Sequence, residues 1–284
     1  MIQLLVNGLI AGSLYALVAI GYTMVYGVLR FIHFAHGDVC MAGAFFFYLL
    51  RVRLGLDAVS AFLCSVSACG LLGYAIERLA YRPLRTASRL SCLVTAIGVS
   101  ILLQNGFGAA FGFEPKSIVP FSGTASISAA GASFTPAQAA AFTASAVLLA
   151  ALFLLLKKTA TGILIRATGD NLAAAMATGI PINRTISLTF VLGSTLAGAA
   201  GICVGSIQDI QPTMGVLLGI KAFTAAVVGG IGHLPGAVLG GLFIGLAENV
   251  GAWVFPAGFK DAVAFAVLIL CLILRPHGLF RKKG

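Results

Sequence analysis

The sequence is poor in charge. Only 9% of its 284 residues are Asp, Glu, Lys or Arg, where an ordinary soluble domain carries about 25%. It has one Trp and eight acidic residues. It contains no G-x-x-x-x-G-K-[ST] run, so the chain holds no P-loop of its own. It contains no H-E-x-x-H and no G-x-S-x-G, which removes the zinc-hydrolase and nucleophile-elbow readings. No two of the six cysteines (Cys40, Cys64, Cys69, Cys92, Cys203, Cys271) stand as C-x-x-C, and all lie in or beside apolar runs. Buried, unreactive thiols are expected rather than a disulfide or metal framework. Of the four histidines, only His33 and His36 share an i,i+3 spacing. Two ligands with no carboxylate or thiol partner give no metal site.

Apolar residues fill the space that charge leaves. They make up 60% of the chain, and the mean hydropathy is +1.05. The solvent of such a chain is lipid. Each helical span takes about 20 apolar residues, so eight or nine would use roughly 160 to 180 and leave no extra-membrane domain. The expectation is an all-α, polytopic bundle of about 8–10 segments forming one domain over 1–284. The apolar segments run at 4–29, 37–50, 58–76, 90–112, 137–156, 186–208, 214–231, 237–255 and 261–274. The second is short enough to be a half-helix. No Lys or Arg precedes Arg30, so the first run lacks the positive start of a signal peptide and reads as a retained span.

The formal charge of +10 comes from 18 basic residues, and twelve of them sit in three polar stretches, 77–89, 157–184 and 275–283. Basic residues at the ends of apolar runs signal membrane topology rather than nucleic acid, and they place all three stretches in the cytoplasm. The loop 113–136, with only Lys116 and Glu114, then lies outside. Counted as three segments, the stretch from 184 to 275 has odd parity with both ends inside. A re-entrant or broken element is therefore expected, and glycine-rich 214–255 is its place.

Glycine has two meanings here. Small-xxx-small steps at Gly8/Gly12, Ala197/Gly201/Gly205, Gly232/Gly236/Gly240 and Gly241/Gly245 let helix backbones approach in lipid. Broken helices lining a pathway are the other reading. His36-Gly37-Asp38 before Met41-Ala42-Gly43 and Gly232-His233-Leu234-Pro235 before Gly236-Ala237 form a short internal echo of the kind that marks translocation sites. Asp38, Lys221 and Glu248 fall inside apolar segments, and Asp209 falls at an end. Ionisable groups at that depth are functional candidates by default, although Lys221 and Glu248 also suit a structural pair between helices. Three scattered groups make a poor proton relay. In the cytoplasmic segment 158–185, Asp170 or Asn171 caps a short Ala-rich helix from near Leu172, and Gly179 with Pro181 ends it. Such a helix suits either a plain linker or the groove of a partner protein.

Several blocks, in order and nearly end to end, resemble the LivH-type branched-chain amino-acid ABC-transporter permeases. They are Asn7-Gly8-Leu9 through Gly12-Ser13-Leu14-Tyr15 to Tyr26-Gly27-Val28; Phe34-Ala35-His36-Gly37-Asp38 with Met41, Gly43 and Ala44; and Glu77-Arg78 with Tyr81-Arg82-Pro83. They continue with Gly162, Arg166-Ala167, Asn171, Ala174 and Gly179-Ile180, then Lys221, Phe223, Gly229-Gly230, Gly232, Gly236-Ala237, Gly240-Gly241, Gly245 and Glu248. His33 departs from the family, which has Asn there, and this bears on substrate range. The resemblance implies a non-enzymatic, multi-pass permease subunit of the bacterial inner membrane. Its partners would be a second homologous permease, two cytoplasmic ATPase subunits that bind ATP and Mg, a periplasmic substrate-binding protein and membrane lipid, with no nucleic acid. It implies coupling to the ATPases through Gly162, Arg166, Ala167, Asn171, Ala174 and Gly179. It also supports a translocation path near His33, Phe34, His36, Asp38, Gly43, Lys221, Gly229, Gly230, Gly236 and Glu248. Leu, Ile and Val are the expected substrates. Urea, short amides and aromatic acids are carried by similar permeases. A stand-alone carrier or channel, and a membrane enzyme, are the other classes.

Overall fold

The computed structural model describes every residue except 1, 86, 119–126, 130–131, 255, 276–277 and 280–284. The basic tail at Arg281, Lys282 and Lys283, with Pro276, His277 and Phe280, lies outside the described residues, as does much of the loop 113–136. Among the described residues, eleven α-helices follow one another: α1 Ile2–Leu29, α2 His36–Tyr48, α3 Ala58–Ile76, α4 Arg89–Phe111, α5 Pro136–Lys158, α6 Ala160–Asp170, α7 Leu172–Ala177, α8 Ile182–Gly205, α9 Met214–Gly229, α10 Leu234–Val254 and α11 Lys260–Leu274. Single π-helical turns extend α2 (Leu49–Arg53) and α3 (Glu77–Tyr81). Six helical stretches are long and apolar enough to cross a bilayer unaided. A two-stranded ribbon pairs Ile127–Ala129 with Ala132–Phe134 in the loop after α4, a small addition to the expected all-α chain.

Caps set several of the helix starts. The Asp57 carboxylate accepts from the amides of Val59 and Ser60 at 3.1 and 3.0 Å and opens α3. The same bonds, Ser60 first, hold the Asp57 carboxyl below the usual carboxylate range. Thr135 and Gln138 form a reciprocal capping box around Pro136 at the head of α5. Asn171 accepts from the Ala174 amide at 3.0 Å and separates α6 from α7. The expected short helix from Leu172 is therefore present, and a second helix, α6, fills the segment before it.

Side-chain bonds fix which ends share a side. Gln3 exchanges two hydrogen bonds with the Ser133 backbone, 2.8 and 2.7 Å, so α1 begins beside the ribbon. Lys116 and Ile210 exchange backbone bonds at 2.9 and 2.8 Å, which puts the end of α8 on that same side. At the other end of α1, the Arg30 guanidinium donates to the Gly169 carbonyl at 2.9 Å, and the Leu279 amide donates to Val228 O at 2.8 Å. The positive-inside rule then sets Arg30, Gly169 and Leu279 on the inner side and the start of α1 on the outer side. From 184 to 275 there are four helices, α8 to α11, rather than three segments. Four traverses satisfy the parity, two of them made by the short helices α9 and α11, of 16 and 15 residues. The glycine-rich break at 230–233 is a tight turn between antiparallel α9 and α10, with Gly230 and Gly232 at φ 94° and 93°.

Glycine contacts hold the centre. A Cβ on Gly241 would lie 2.5 Å from Ala16 Cα, and one on Gly12 would lie 2.8 Å from Leu242 Cα. Helices α1 and α10 therefore touch backbone to backbone, antiparallel, as small-residue packing in lipid requires. Helix α2 has 13 residues, and 11 of them are buried. It is sleeved by α1, α3, α8 and α9, with Gly43 against Gly198 and Gly37 against Gly215 and Gly219. Its length, about 20 Å at 1.5 Å per residue, is too little for the roughly 30 Å hydrocarbon layer. The π-turn Leu49–Arg53 and the stretch 30–35 complete the passage from the inner end of α1 to the start of α3.

Candidate functional site

Two cavities lie along the seam between α1 and α9, one toward each side. The outer one has a volume of about 640 Å³ and is lined by Asn7, Leu14 and Tyr15 of α1, by Met214 and Lys221 of α9, and by the Gln208–Gln211 loop. The inner one, about 920 Å³, is lined by Thr23, Tyr26 and Arg30 from α1 and just after it, by Phe223 and Val227 of α9, and by Arg166 of α6. Aromatic rings stand between them. Tyr22 meets Phe223 edge-on at 6.2 Å between centroids, and Phe34 tilts onto Phe223 at 6.3 Å. Along α1, Leu14 and Thr23 are about 13 Å apart at 1.5 Å per residue. The seam thus has a mouth of mixed polar and apolar lining outside, aromatic rings around Phe223 and a larger mixed mouth inside.

The floor of the outer cavity is charged. Lys221 Nζ lies 3.2 and 3.3 Å from the two Glu248 oxygens and 2.7 Å from Asp261 Oδ1. Tyr15 donates to Glu248 Oε2 at 2.9 Å, and Lys221 lies 3.4 Å from the Tyr15 hydroxyl. Four helices, α1, α9, α10 and α11, meet in this network. Lys221 and Glu248 are the cross-helix pair that the sequence allows. Asp261 and Tyr15 are partners that sequence reasoning missed.

The sequence candidates for the path divide in two. Lys221 lines the outer cavity with Glu248 behind it, and Phe34 is one of the aromatic rings around Phe223. Gly230 starts the α9–α10 turn, Gly229 of α9 packs against Gly236 of α10 beside it, and the turn residues Gly232 and His233 line the inner cavity. His33, His36, Asp38 and Gly43 lie within the α2 sleeve, all but sealed from solvent, and line neither cavity. His33 Nδ1 pairs with the Tyr81 hydroxyl at 2.6 Å, and Asp38 accepts from Gln104 Nε2 at 3.0 Å. Both ring nitrogens of His36 and Nε2 of His33 have no partner among the described residues. The spacing Asn7, Tyr15, Tyr22, Tyr26 puts polar side chains on one stripe of α1, the signal that would have pointed to both cavities. Among the described residues, no three His, Cys, Asp or Glu side chains gather as a metal site needs.

The cytoplasmic candidates have separable places. Gly162 is buried against Leu156, where no Cβ fits. Arg166 faces the inner cavity. Asn171 is the cap of α7, and Gly179 sits at φ 81° just past its end. Ala174 is exposed beside Leu172 and Met176, which are 42% and 56% exposed, while Ala175 is packed away. A short capped helix therefore exposes an apolar edge at i and i+4. Further back, the fully enclosed Glu77 pairs with Arg85 and accepts from Ser187 at 2.6 Å, tying the end of α3 to the start of α8.

Comparison with known proteins agrees with this architecture. PsaBC from Streptococcus pneumoniae in complex with Fab shares the fold at a TM-score of 0.53 and 16% identity, over 95% of this chain and 91% of that one. The high-affinity branched-chain amino acid transport system permease protein BraD of Pseudomonas aeruginosa is 44% identical over 99% of this chain and 96% of its own length. The corresponding LivH proteins of Salmonella typhimurium and Escherichia coli are 38% identical, again over 99% and 96%. The family described as branched-chain amino acid transport system / permease component matches residues 4–272. With a polytopic helical body, two opposed mouths along one seam and a near full-length family match, this chain belongs to the family of branched-chain amino acid transport system permease components.

Proposed function

We propose that the chain is one permease subunit of an ATP-binding-cassette importer of the bacterial inner membrane. It carries Leu, Ile and Val by alternating access, beside a second, homologous permease. The opposed cavities on the α1–α9 seam, with the Tyr22, Phe223 and Phe34 rings between them, are the observation that carries this reading. The whole of 1–284 acts as one permease domain, and 158–185 is its coupling segment. Two ATPase subunits hold ATP and Mg and dock on the Leu172–Met176 edge of α7. Asn171 and Gly179 shape that edge, and Gly162 seats α6 on the end of α5. A periplasmic binding protein supplies the substrate and most of the affinity, since the seam offers a zwitterion few fixed partners. The branched-chain names of BraD and LivH support the substrate class.

The test is copurification in mild detergent from native membranes, with uptake of labelled leucine measured alongside. Wild type, Met176→Glu and Arg166→Glu are compared. Wild type is expected to bring two ATPases and a second permease. Met176→Glu is expected to lose the ATPases while the permease pair persists. Wild-type chain recovered alone from membranes that contain the ATPases, or leucine uptake indifferent to ATP, refutes the reading.

A further inference from the structure

Three arginines converge on one groove that the transport reading does not use. The groove has a volume of about 510 Å³ and lies between the cytoplasmic end of α3 and the start of α8. Arg78 and Arg82 come from the turns after α3, and Arg184 comes from the first turn of α8. None of the three guanidinium groups has an ion pair or hydrogen bond among the described residues. The local acid is already taken, because Glu77 pairs with Arg85 and accepts from Ser187. Cytoplasmic positive charge explains why arginines lie on this side. It does not explain why three of them, from two helices, line one hollow without an anion.

The other end of the groove is apolar. Tyr74, Leu188 and Val191 line it, and Tyr74 and Leu188 are 42% and 40% exposed. Val191 lies two turns further along α8 than Arg184, about 10 Å at 1.5 Å per residue. The hollow therefore runs from the interface into hydrocarbon depth. An acidic protein surface would meet the arginines but would not reach Val191. A lipid reaches both, with its phosphate on the guanidinium forks and an acyl chain along Leu188 and Val191. We propose that this groove is a binding site for an anionic phospholipid, its phosphodiester held by Arg78, Arg82 and Arg184.

The full-length chain is placed in nanodiscs of phosphatidylcholine containing a minor share of phosphatidylglycerol or cardiolipin, and lipids retained after release are counted by native mass spectrometry. Wild type is expected to retain the anionic lipid over phosphatidylcholine. At about one fivefold factor for each arginine near the surface, the R78Q/R82Q/R184Q chain is expected to lose retention roughly a hundredfold. The three single variants read the same contacts one by one, at about fivefold each, and serve if the triple variant accumulates poorly. Inorganic phosphate added to pure phosphatidylcholine discs is expected not to bind measurably, since it lacks the chain that fills the apolar end. Equal retention of neutral and anionic lipid, retention unchanged in the arginine variants, or phosphate binding as well as the lipid would each overturn the proposal. So would loss of ATPase copurification in the triple variant with anionic-lipid retention intact.

Discussion

Lys221 is the residue whose loss tests the charged network most sharply. At 3.2 Å from Glu248, and with an effective dielectric of about 20, its attraction to that carboxylate is roughly 5 kcal/mol, most of it offset by desolvation of both groups. The asymmetry between partners is the informative part. Lys221→Met removes the cation and leaves Glu248, 2% exposed, with only the Tyr15 hydroxyl. Removing one partner of a buried pair costs about 3–5 kcal/mol. Glu248→Gln leaves Lys221 its 2.7 Å contact with Asp261 and is expected to cost less, about 1–2 kcal/mol. Asp261 has 43% of its side chain exposed, and Asp261→Asn is expected to cost under about 1 kcal/mol. The double variant Lys221→Met/Glu248→Gln leaves no buried charge unpaired between the two positions, so it is expected to be more stable than Lys221→Met alone. Reversible unfolding in mixed micelles, followed by circular dichroism, gives the four free energies. An Lys221→Met chain no less stable than Glu248→Gln, or a double variant whose loss is the sum of the singles, refutes the network as drawn.

Two further substitutions probe the packing and the cytoplasmic tie. Gly43→Val drives carbon into Gly198, whose Cα is 2.5 Å from the position a Cβ would take. It is expected to cost at least about 2 kcal/mol by the same unfolding assay, whereas Gly98→Ala on α4, with nothing within 4 Å, is expected to gain about 0.5–1 kcal/mol. Equal effects at the two sites would mean that α2 is not closely sleeved. Glu77→Ala leaves Arg85 with only its bond to Asn183 Oδ1 at 2.6 Å and is expected to cost about 2–3 kcal/mol, while Glu77→Gln keeps an acceptor for Ser187 and is expected to lose less. Matching Tm values for the two variants would show that the charge contributes nothing.

Much of the architecture was legible because lipid imposes a simple rule. Segments 58–76 and 90–112 coincide with α3 and α4 within a residue or so, since apolar runs are bounded by Asp57, Ser88 and the arginines. The half-length of α2 was readable from the shortness of its apolar run. Helix α6 was not, because its 11 residues are too few and too polar to read as a span, and it is held by contact with α1, α5 and α8. The broken-helix expectation around 214–255 came from glycine density and a miscounted parity. Those glycines serve a tight turn and backbone contact instead. The site was legible only in its rare residues. Lys221 and Glu248 stand out because charge in a span is expensive. The polar residues Asn7, Gln208 and Thr213 do not stand out, because each is ordinary until α1 and α9 are brought side by side.

The same network constrains how the seam can open. Helix α1 packs on α10 through glycine contacts that leave no side chain to slide past, and α10 packs on α9 in the same way, with Gly229 against Gly236 and Gly240 against Ala225. Helix α11 packs against both α9 and α10. Lys221 on α9 is thereby held to Tyr15 of α1 at 3.4 Å, to Glu248 of α10 and to Asp261 of α11 at 2.7 Å. With one acid only, any motion that broke the contact would cost the penalty of a buried unpaired charge, about 3–5 kcal/mol. With two, the cation keeps a carboxylate when either is drawn away. On this account the double variant Glu248→Gln/Asp261→Asn, which removes both, is expected to lose more stability than the two single variants added together, and an additive loss refutes the shared role.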